Sequence, residues 1–240
     1  MEKSKIPKYK RILLKISGEA IQGEDGIFDL SLASRIADEI AEIHGLGCEI
    51  GIVIGGGNII RGEEFSRFGF DRNQSDYIGM LATVINGMLL ESILLNKGLP
   101  AVIQSAMVVE TLTEGIVLKR TQKYLNDKSV ILFTGGTGNP YFTTDTAAAL
   151  RACEIDADVL LKATKVDGVY DKDPVLYDDA VFHKNLTYHE VLYRDLKVID
   201  MAAVAMCRDK KLPIIIFNIQ QDGNIAKIVK GYDVGTTIKE

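Results

Sequence analysis

The chain has 240 residues, of which 47% are hydrophobic and 25% are charged, and its net charge is −5. Such a chain is globular and suits one large α/β domain or two small lobes, and its acidic balance gives no reason to expect nucleic-acid binding. Three widely spaced cysteines, Cys48, Cys153 and Cys207, argue against a disulfide framework or structural zinc and favour reduced thiols in the cytoplasm.

Short β-branched apolar runs alternate along the chain with longer runs of helical periodicity. The apolar runs predict strands that are buried on both faces, at residues 11–16, 48–54, 101–103, 130–133, 159–161 and 214–217. The periodic runs predict helices at residues 32–43, 76–96, 143–154, 187–195, 200–211 and 224–230, the fourth opened by a capping box of Thr187 and Glu190. This alternation indicates an α/β fold with a mostly parallel sheet between two helical layers. The longest stretches without a pattern are 64–75 and 171–184.

Three predicted strands run directly into glycine or small polar residues. Ser17 and Gly18 follow the first strand, residues 55–58 (Gly-Gly-Gly-Asn) follow the second, and residues 134–139 follow the strand at 130–133. In open α/β sheets, ligands bind beyond the carboxyl ends of the strands, and glycine lets backbone N–H groups approach an anion closely. The sequence therefore predicts one large phosphate-binding cleft at this edge of the sheet.

The triple-glycine loop is followed by Arg61, whose guanidinium is suited to holding phosphate oxygens in pairs. A simple glycine turn with Arg61 on the surface is the alternative, although three consecutive glycines exceed what a turn requires. The GxxxxGK[ST] pattern is absent, which excludes a P-loop enzyme. Ile60 occupies the position of the third glycine in GxGxxG, which argues against a dehydrogenase.

Two lysines lie inside predicted buried strands. Lys15 follows Leu14 in the first strand, and Lys162 follows Leu161 in the strand at 159–161. A buried lysine is costly unless it meets an anion, so both positions favour phosphoryl transfer, where catalysis consists largely of positioning and charge neutralisation. An amphipathic edge lysine is the alternative at Lys15.

Residues 137–145 form the densest polar cluster of the sequence. Three threonines and an asparagine offer neutral hydrogen bonds to a sugar or base, although Thr143 or Thr144 also suits a helix cap and Asp145 suits the helix dipole. The three histidines lack ligand spacing, and no pattern of a covalent nucleophile is present. Any metal is expected to be Mg²⁺ held by nucleotide phosphates rather than by the protein alone.

The N-terminus has four lysines in residues 1–10 with no apolar stretch behind them, which argues against a signal peptide. No apolar run approaches the roughly 18 residues of a membrane span. We therefore expect a soluble, cytoplasmic protein that binds no membrane.

Four segments in chain order resemble the bacterial UMP kinases of the amino-acid-kinase superfamily. They are residues 15–20 (KISGEA), 55–62 (GGGNIIRG), 137–145 (TGNPYFTTD) and 162–170 (KATKVDGVY). The resemblance extends from Tyr9 to Thr237, and the run that ends at Asp145 is specific to this branch of the superfamily.

The resemblance implies a single amino-acid-kinase domain over residues 1–240, a three-layer α/β sandwich whose mostly parallel sheet has about eight strands. Its N-terminal part would hold mainly the acceptor UMP and its C-terminal part mainly ATP. The implied activity is in-line transfer of a phosphoryl group from MgATP to UMP, in pyrimidine nucleotide biosynthesis. The resemblance also implies a hexamer and allosteric control, with GTP as activator and UTP as inhibitor.

The resemblance implies the following site residues. The ATP site comprises Lys15, Ile16, Ser17, Gly18, Gly57, Arg61, Thr164, Tyr170 and Asp173. The UMP site comprises Gly56, Asp76, Thr137, Gly138, Asn139, Pro140, Tyr141, Phe142, Thr143 and Thr144. Catalysis involves Lys15, Arg61 and Asp145, and both Asp145 and Asp200 are candidates for organising the magnesium–phosphate region. The segment in which some members bind GTP is Gly23, Glu24, Asp25, Gly26, Ile27 and Phe28, which is one residue shorter here and leaves the response to GTP open.

Two other functions on the same fold remain as alternatives, besides the dehydrogenase that the missing third glycine disfavours. A related enzyme that phosphorylates a carboxylate or carbamate would share the Lys15 and triple-glycine loops but lack the 137–144 run. A non-catalytic nucleotide sensor on the same fold would bind UMP or UTP without turnover, which the two strand lysines and Arg61 disfavour. Asp76 has a structural alternative of its own, because an aspartate at the start of a predicted helix is a good N-terminal cap.

Overall fold

A nine-stranded sheet forms the centre of the structure, a computed structural model that describes residues 6–23, 26–60 and 69–240. The strands are β1 (Arg11–Ile16), β2 (Glu49–Ile54), β3 (Ala101–Ser105), β4 (Glu114–Gly115), β5 (Val130–Thr134), β6 (Val159–Thr164), β7 (Val169–Tyr170), β8 (Phe182–His183), β9 (Asn185–Thr187), β10 (Ile214–Asn218) and β11 (Thr236–Lys239). The order in the sheet is β4-β3-β5-β2-β1-β6-β10-β11-β9, while β7 and β8 form a separate antiparallel pair.

Helices cover both faces of this sheet. They are α1 (Leu30–Gly45), α2 (Arg72–Asn96), α3 (Leu118–Asn126), α4 (Thr144–Glu154), α5 (Tyr188–Tyr193), α6 (Met201–Lys210) and α7 (Asn224–Val229), with a short 3₁₀ helix at Gly18–Ile21. Alternate strand residues enter two separate cores: Leu14 faces the layer of α1, α2 and α7, and Leu13 faces the layer of α3 to α6. The predicted three-layer α/β sandwich is confirmed.

The sheet differs from the prediction in its outer strands. The described residues form nine strands in this sheet, in line with about eight, and the sheet is mostly parallel: β11 runs antiparallel to β10, and the other neighbouring pairs are parallel. The strands β4, β9 and β11 are only two to four residues long, so they carry little of the apolar pattern that marks a buried strand. Helix α3 was also missed, because the segment Leu118–Asn126 is dominated by polar side chains.

Helix α2 begins at Arg72, four residues before the predicted start. Asp71 is its N-terminal cap, since its carboxylate accepts hydrogen bonds from the backbone N–H groups of Asn73 (3.0 Å) and Gln74 (3.4 Å). The capping interpretation of Asp76 is therefore wrong, because Asp76 lies in the second turn.

Helix α2 contradicts the expectation that no apolar run is long enough to span a membrane. By length and composition it is apolar enough to cross a membrane, with a mean hydropathy of 1.8 over its best 18-residue window. The helix packs against α1, β3 and β5, which is the arrangement of a core helix. One such helix is therefore weak evidence for a membrane span.

Candidate active site

The parallel strands β1, β2, β5, β6 and β10 all end at the same edge of the sheet, where the glycine loops meet. A Cβ atom added to Gly18 would lie 2.5 Å from the backbone nitrogen of Gly57, and the Gly55 N–H donates a 2.8 Å hydrogen bond to the Ile16 carbonyl. The loops after β1 and β2 are therefore packed backbone to backbone, and a side chain at Gly18 would separate them.

Two asparagines fix the triple-glycine loop to helix α2. The Asn58 and Asn86 side chains donate hydrogen bonds to each other at 3.1 and 2.7 Å, and Asn86 also donates to the Gly55 carbonyl at 2.6 Å. Asn86 is fully buried. Sequence analysis missed Asn86 because it lies within an apolar helical run, where the one available signal was an amide at a core-facing position.

A buried charge cluster lies at the ends of β1 and β6. Lys15 and Lys162 face each other in register on the paired strands, and both contact Asp145 in the first turn of α4. The Lys15 Nζ lies 2.8 Å from Asp145 Oδ1, and the Lys162 Nζ lies 2.6 Å from Asp145 Oδ2. Lys162 also donates to the Val198 carbonyl. The Asp145 carboxylate thus lies between two ammonium groups. Each of the three residues is at least 91% buried.

The pKa values of this cluster reflect burial and charge together. Burial by itself would raise the pKa of Asp145, but the Lys15 and Lys162 ammonium groups lower it from 3.8 to about 2. Burial lowers the pKa of Lys162, and Asp145 partly reverses that effect. Asp145 is therefore ionised at neutral pH, so the cluster carries one negative charge against two ammonium groups when both lysines are protonated. The surplus positive charge suits an anionic ligand.

Asp200 connects the N-termini of two helices beside this cluster. Its carboxylate caps α6 by accepting from the Ala203 N–H at 2.9 Å. It also accepts from the hydroxyl and the N–H of Thr146 at 2.7 and 3.1 Å, and from the Thr143 hydroxyl. Thr143 in turn caps α4, as the sequence predicted for one of the two threonines.

A small cleft of about 180 Å³ opens beside the triple-glycine loop, between α2 and the start of α4. Predicted UMP-site residues that line it are Gly56, Asp76, Asn139, Phe142, Thr143 and Thr144. Asp76 accepts a 2.7 Å hydrogen bond from the Tyr141 N–H and pairs with Arg72 at 3.1 Å. Thr137, Gly138, Pro140 and Tyr141 belong to the same loop but do not line the cleft.

A large cavity of about 760 Å³ opens beside the charge cluster. Thr164, Tyr170 and Asp173 line it, as predicted for a nucleotide site, and so do Lys162 and Glu19. Tyr170 of β7 forms part of its wall, and its ring lies edge to face with the Phe182 ring of β8, with the ring centroids 5.4 Å apart. The two cavities are neighbours, because a Cβ on Gly57, which lines the small cleft, would lie 3.3 Å from the Glu19 side chain.

Some predicted residues fall elsewhere. Arg61, Glu24 and Asp25 lie outside the described residues. In the predicted GTP segment, the Ile27 carbonyl accepts a 3.1 Å hydrogen bond from Asn58, so this segment borders the triple-glycine loop rather than either cavity. Ser17 caps the 3₁₀ helix by accepting from the Ala20 N–H at 3.2 Å. Ile16 is a buried core residue at the end of β1.

The chain is similar to one protein family and to several solved kinase structures. Residues 10–218 match the model of the amino acid kinase family. The structure is similar to the crystal structure of UMP kinase from Bacillus anthracis, with 36% identity, a TM-score of 0.93 and 96% of each chain covered. It is similar to UMP kinase from Ureaplasma parvum, with 34% identity, a TM-score of 0.91 and 97% and 100% coverage. Uridylate kinase from Archaeoglobus fulgidus matches at 28% identity and a TM-score of 0.72, with 95% and 99% coverage.

Proposed function

The chain belongs to the amino acid kinase family, and we propose that it is a UMP kinase, which transfers a phosphoryl group from ATP to UMP. Two observations of different kinds support this activity. The similarity to UMP kinases covers nearly the whole of both chains. The single structural observation that carries it is the Lys15–Asp145–Lys162 cluster, whose Lys162 lines the large cavity and whose Asp145 follows Thr144, a residue of the small cleft.

We assign the small cleft to UMP and the large cavity to ATP. The N-terminal part of the chain then supplies most of the acceptor site through the triple-glycine loop and α2, and the C-terminal part supplies most of the donor site through β6, β7 and residues 194–198. This division treats residues 1–240 as one amino-acid-kinase domain. Transfer across the cluster would then need no covalent enzyme intermediate.

The proposed reaction is a direct in-line displacement. An oxygen of the UMP phosphate forms a bond to the γ-phosphorus of ATP, and the bond from that phosphorus to the β–γ bridging oxygen breaks, which gives UDP and ADP. Lys15, Lys162 and the loop N–H groups spread the charge that develops during transfer. Arg61 is also proposed to hold phosphate oxygens.

We propose that Mg²⁺ enters as MgATP. Among residues 6–23, 26–60 and 69–240, no group of three or more His, Cys, Asp or Glu side chains is placed to hold a metal ion. Asp145 is engaged by two lysines, and Asp200 accepts four hydrogen bonds. Because both carboxylates are already engaged, they suit an ion whose main ligands are phosphate and water oxygens, as those of Mg²⁺ are. When bound, the ion would neutralise charge on the donor phosphates.

The activity is tested by supplying ATP with UMP, CMP, dUMP, carbamate or acetylglutamate in parallel and measuring ADP. We expect UMP to be the best acceptor and UDP to appear in equal amount with ADP. Faster turnover with carbamate or acetylglutamate would make the protein a carboxylate or carbamate kinase. UMP binding without any turnover would make it a nucleotide sensor.

Asp76 is proposed to bind the ribose of UMP. A carboxylate that accepts hydrogen bonds from ribose hydroxyls contributes roughly 1.5–3 kcal/mol per bond, so Asp76→Ala should raise the KM for UMP about 10–100-fold and leave the KM for ATP nearly unchanged. The preference for UMP over dUMP should narrow if the 2′-hydroxyl is the partner.

Asp71→Ala is the matched control for this variant, because Asp71 caps the same helix five residues earlier. Loss of a cap typically costs about 1 kcal/mol of stability, so Asp71→Ala should lower Tm with both KM values unchanged. If the two variants show the same kinetics, Asp76 acts only through the helix and its assignment to ribose is wrong.

We also propose that the protein self-associates, with a hexamer as the expected form. Helix α2 exposes a stripe of large apolar side chains at helical spacing, formed by Tyr77, Leu81, Ile85 and Leu95. Sedimentation at micromolar concentration should show a species well above the 26.4 kDa of one chain, and Leu81→Glu with Ile85→Glu should dissociate it. A wild-type protein that sediments only as a monomer would contradict this proposal.

Control by GTP and UTP, a role in pyrimidine nucleotide biosynthesis and a cytoplasmic location belong to the same proposal. Each nucleotide effect is measurable as a change in UMP turnover at a fixed ATP concentration. A protein whose turnover responds to neither nucleotide would lack this regulation.

A further inference from the structure

A hydroxyl group near the C-terminus of the chain links the β7–β8 pair to the main sheet, next to a backbone hydrogen bond from the Thr237 N–H to the Lys184 carbonyl. Thr236, the first residue of β11, is fully buried. Its Oγ1 accepts a 2.8 Å hydrogen bond from the Val169 N–H and donates a 2.5 Å hydrogen bond to the His183 carbonyl. Val169 and His183 are register partners in the β7–β8 pair, so a single hydroxyl joins both strands of that pair to β11.

The backbone segments around this hydroxyl pack so closely that Gly168 and Gly235 have no room for a side chain. A Cβ atom on Gly168 would lie 2.5 Å from Thr236 Oγ1 and 2.8 Å from the Phe182 ring. Gly235 has a φ of 68°, and a Cβ there would lie 2.1 Å from the Ile216 carbonyl oxygen. These two glycines allow the start of β11 to pack directly against β7 and β10.

The elements joined in this way line the large cavity. Gly168, Tyr170 and Asp171 come from the β7 side of the pair, and Ile216, the register partner of Thr236 on β10, lines the same cavity. A shift of the β7–β8 pair relative to β10 would therefore move one wall of the cavity against another. The small cleft has none of these residues in its lining.

We propose that Thr236 is a positioning residue for the donor nucleotide: its hydroxyl fixes the β7–β8 pair at the spacing from β10 that ATP requires. This inference rests on the assignment of the large cavity to ATP. A purely structural role is the alternative, in which the hydroxyl only satisfies two buried backbone groups and its loss affects stability without preference for either substrate.

Thr236→Val tests the proposal, because valine has nearly the same shape and lacks the hydroxyl. Loss of a hydrogen bond that positions a ligand wall corresponds to about a 5–10-fold change in affinity. We expect the KM for ATP to rise by this factor while the KM for UMP stays within about twofold. Thr236→Ser, which keeps the hydroxyl, should restore the KM for ATP, and Thr237→Val, on the opposite face of β11, should leave it unchanged.

Amide hydrogen exchange gives a readout that does not depend on turnover. In Thr236→Val without nucleotide, exchange in residues 168–183 should accelerate, while exchange in residues 55–58 stays as in the wild type. ATP binding, measured with a fluorescent ATP analogue in the absence of UMP, should weaken by the same factor as the KM.

The outcomes separate the two claims. If the wild type does not phosphorylate UMP, the proposed function fails, and the ATP-binding and exchange measurements still decide the role of Thr236. An unchanged affinity for ATP in Thr236→Val, or an equal rise of both KM values that serine does not reverse, would overturn the positioning role.

Discussion

Replacing Lys15 by methionine is expected to lower kcat by about 10²–10³-fold, the effect typical of losing one preorganised group that stabilises developing charge. The Lys15 ammonium group is buried near the end of β1, and its contact with Asp145 fixes its position. Methionine keeps the length and apolar part of the side chain but not the charge. The KM for UMP should change far less than kcat.

Lys10→Met is the matched control, because Lys10 is exposed just before the other end of the same strand. It should leave kcat unchanged. Melting curves should show that Lys15→Met stays folded, since Asp145 keeps its 2.6 Å pair with Lys162. A Lys15→Met enzyme with near-normal kcat would return Lys15 to the edge-lysine interpretation.

The second large effect is expected for Asp145→Asn, on stability as well as on activity. Removing one partner of a buried ion pair typically costs about 3–5 kcal/mol, because the remaining charge is left without compensation. Here two lysines would face each other without the carboxylate between them. The unfolding free energy should fall by this amount, and kcat should fall with it because both lysines lose the carboxylate that holds their ammonium groups in place.

The control is Asp38→Asn, which removes an exposed carboxylate paired with Lys97 at 2.5 Å. A surface pair contributes about 0–1 kcal/mol, so its loss should barely affect unfolding. If both variants lose the same small amount of unfolding free energy, the buried Asp145 contributes no more to stability than a surface ion pair does.

The pH dependence of unfolding gives an independent measure of Asp145. Its pKa in the folded protein is about 2, below the ordinary value of 3.8. A carboxyl group with a lowered pKa stabilises the fold above its unfolded pKa, and this stabilisation is lost as pH falls through the folded pKa. The wild type should therefore lose stability between about pH 4 and pH 2, and Asp145→Asn should lack this component of the loss.

The sequence predicted the elements whose pattern is local. Six buried strands, the glycine loops and the two strand lysines all follow from short runs of residues, and the structure brings these loops and lysines to one edge of the sheet. The capping box at Thr187 and Glu190 was also predictable, because both hydrogen bonds form within four residues.

The residues that could not be predicted act across long sequence separations. Asn86 joins a loop 28 residues earlier, and Thr236 joins Val169, which is 67 residues away. The residues around Asn86 and Thr236 in the sequence do not show that this amide and this hydroxyl bond to distant parts of the chain rather than to solvent. The partner of Lys15 was equally hidden: Asp145 suited the helix dipole, and only the packing of α4 against β1 and β6 brings the carboxylate to both lysines.

The register of β1 and β6 has a consequence for the order of events during folding. Lys15 and Lys162 are directly opposite each other on these central strands, so their pairing brings two like charges together before any anion is present. That repulsion is relieved only when α4 docks and supplies Asp145. We expect the middle of the sheet and helix α4 to form in one cooperative step, with Asp145 already in contact with both lysines in the folding transition state. Asp145, which positions both lysines in the site, would thereby also couple the docking of α4 to the pairing of β1 with β6.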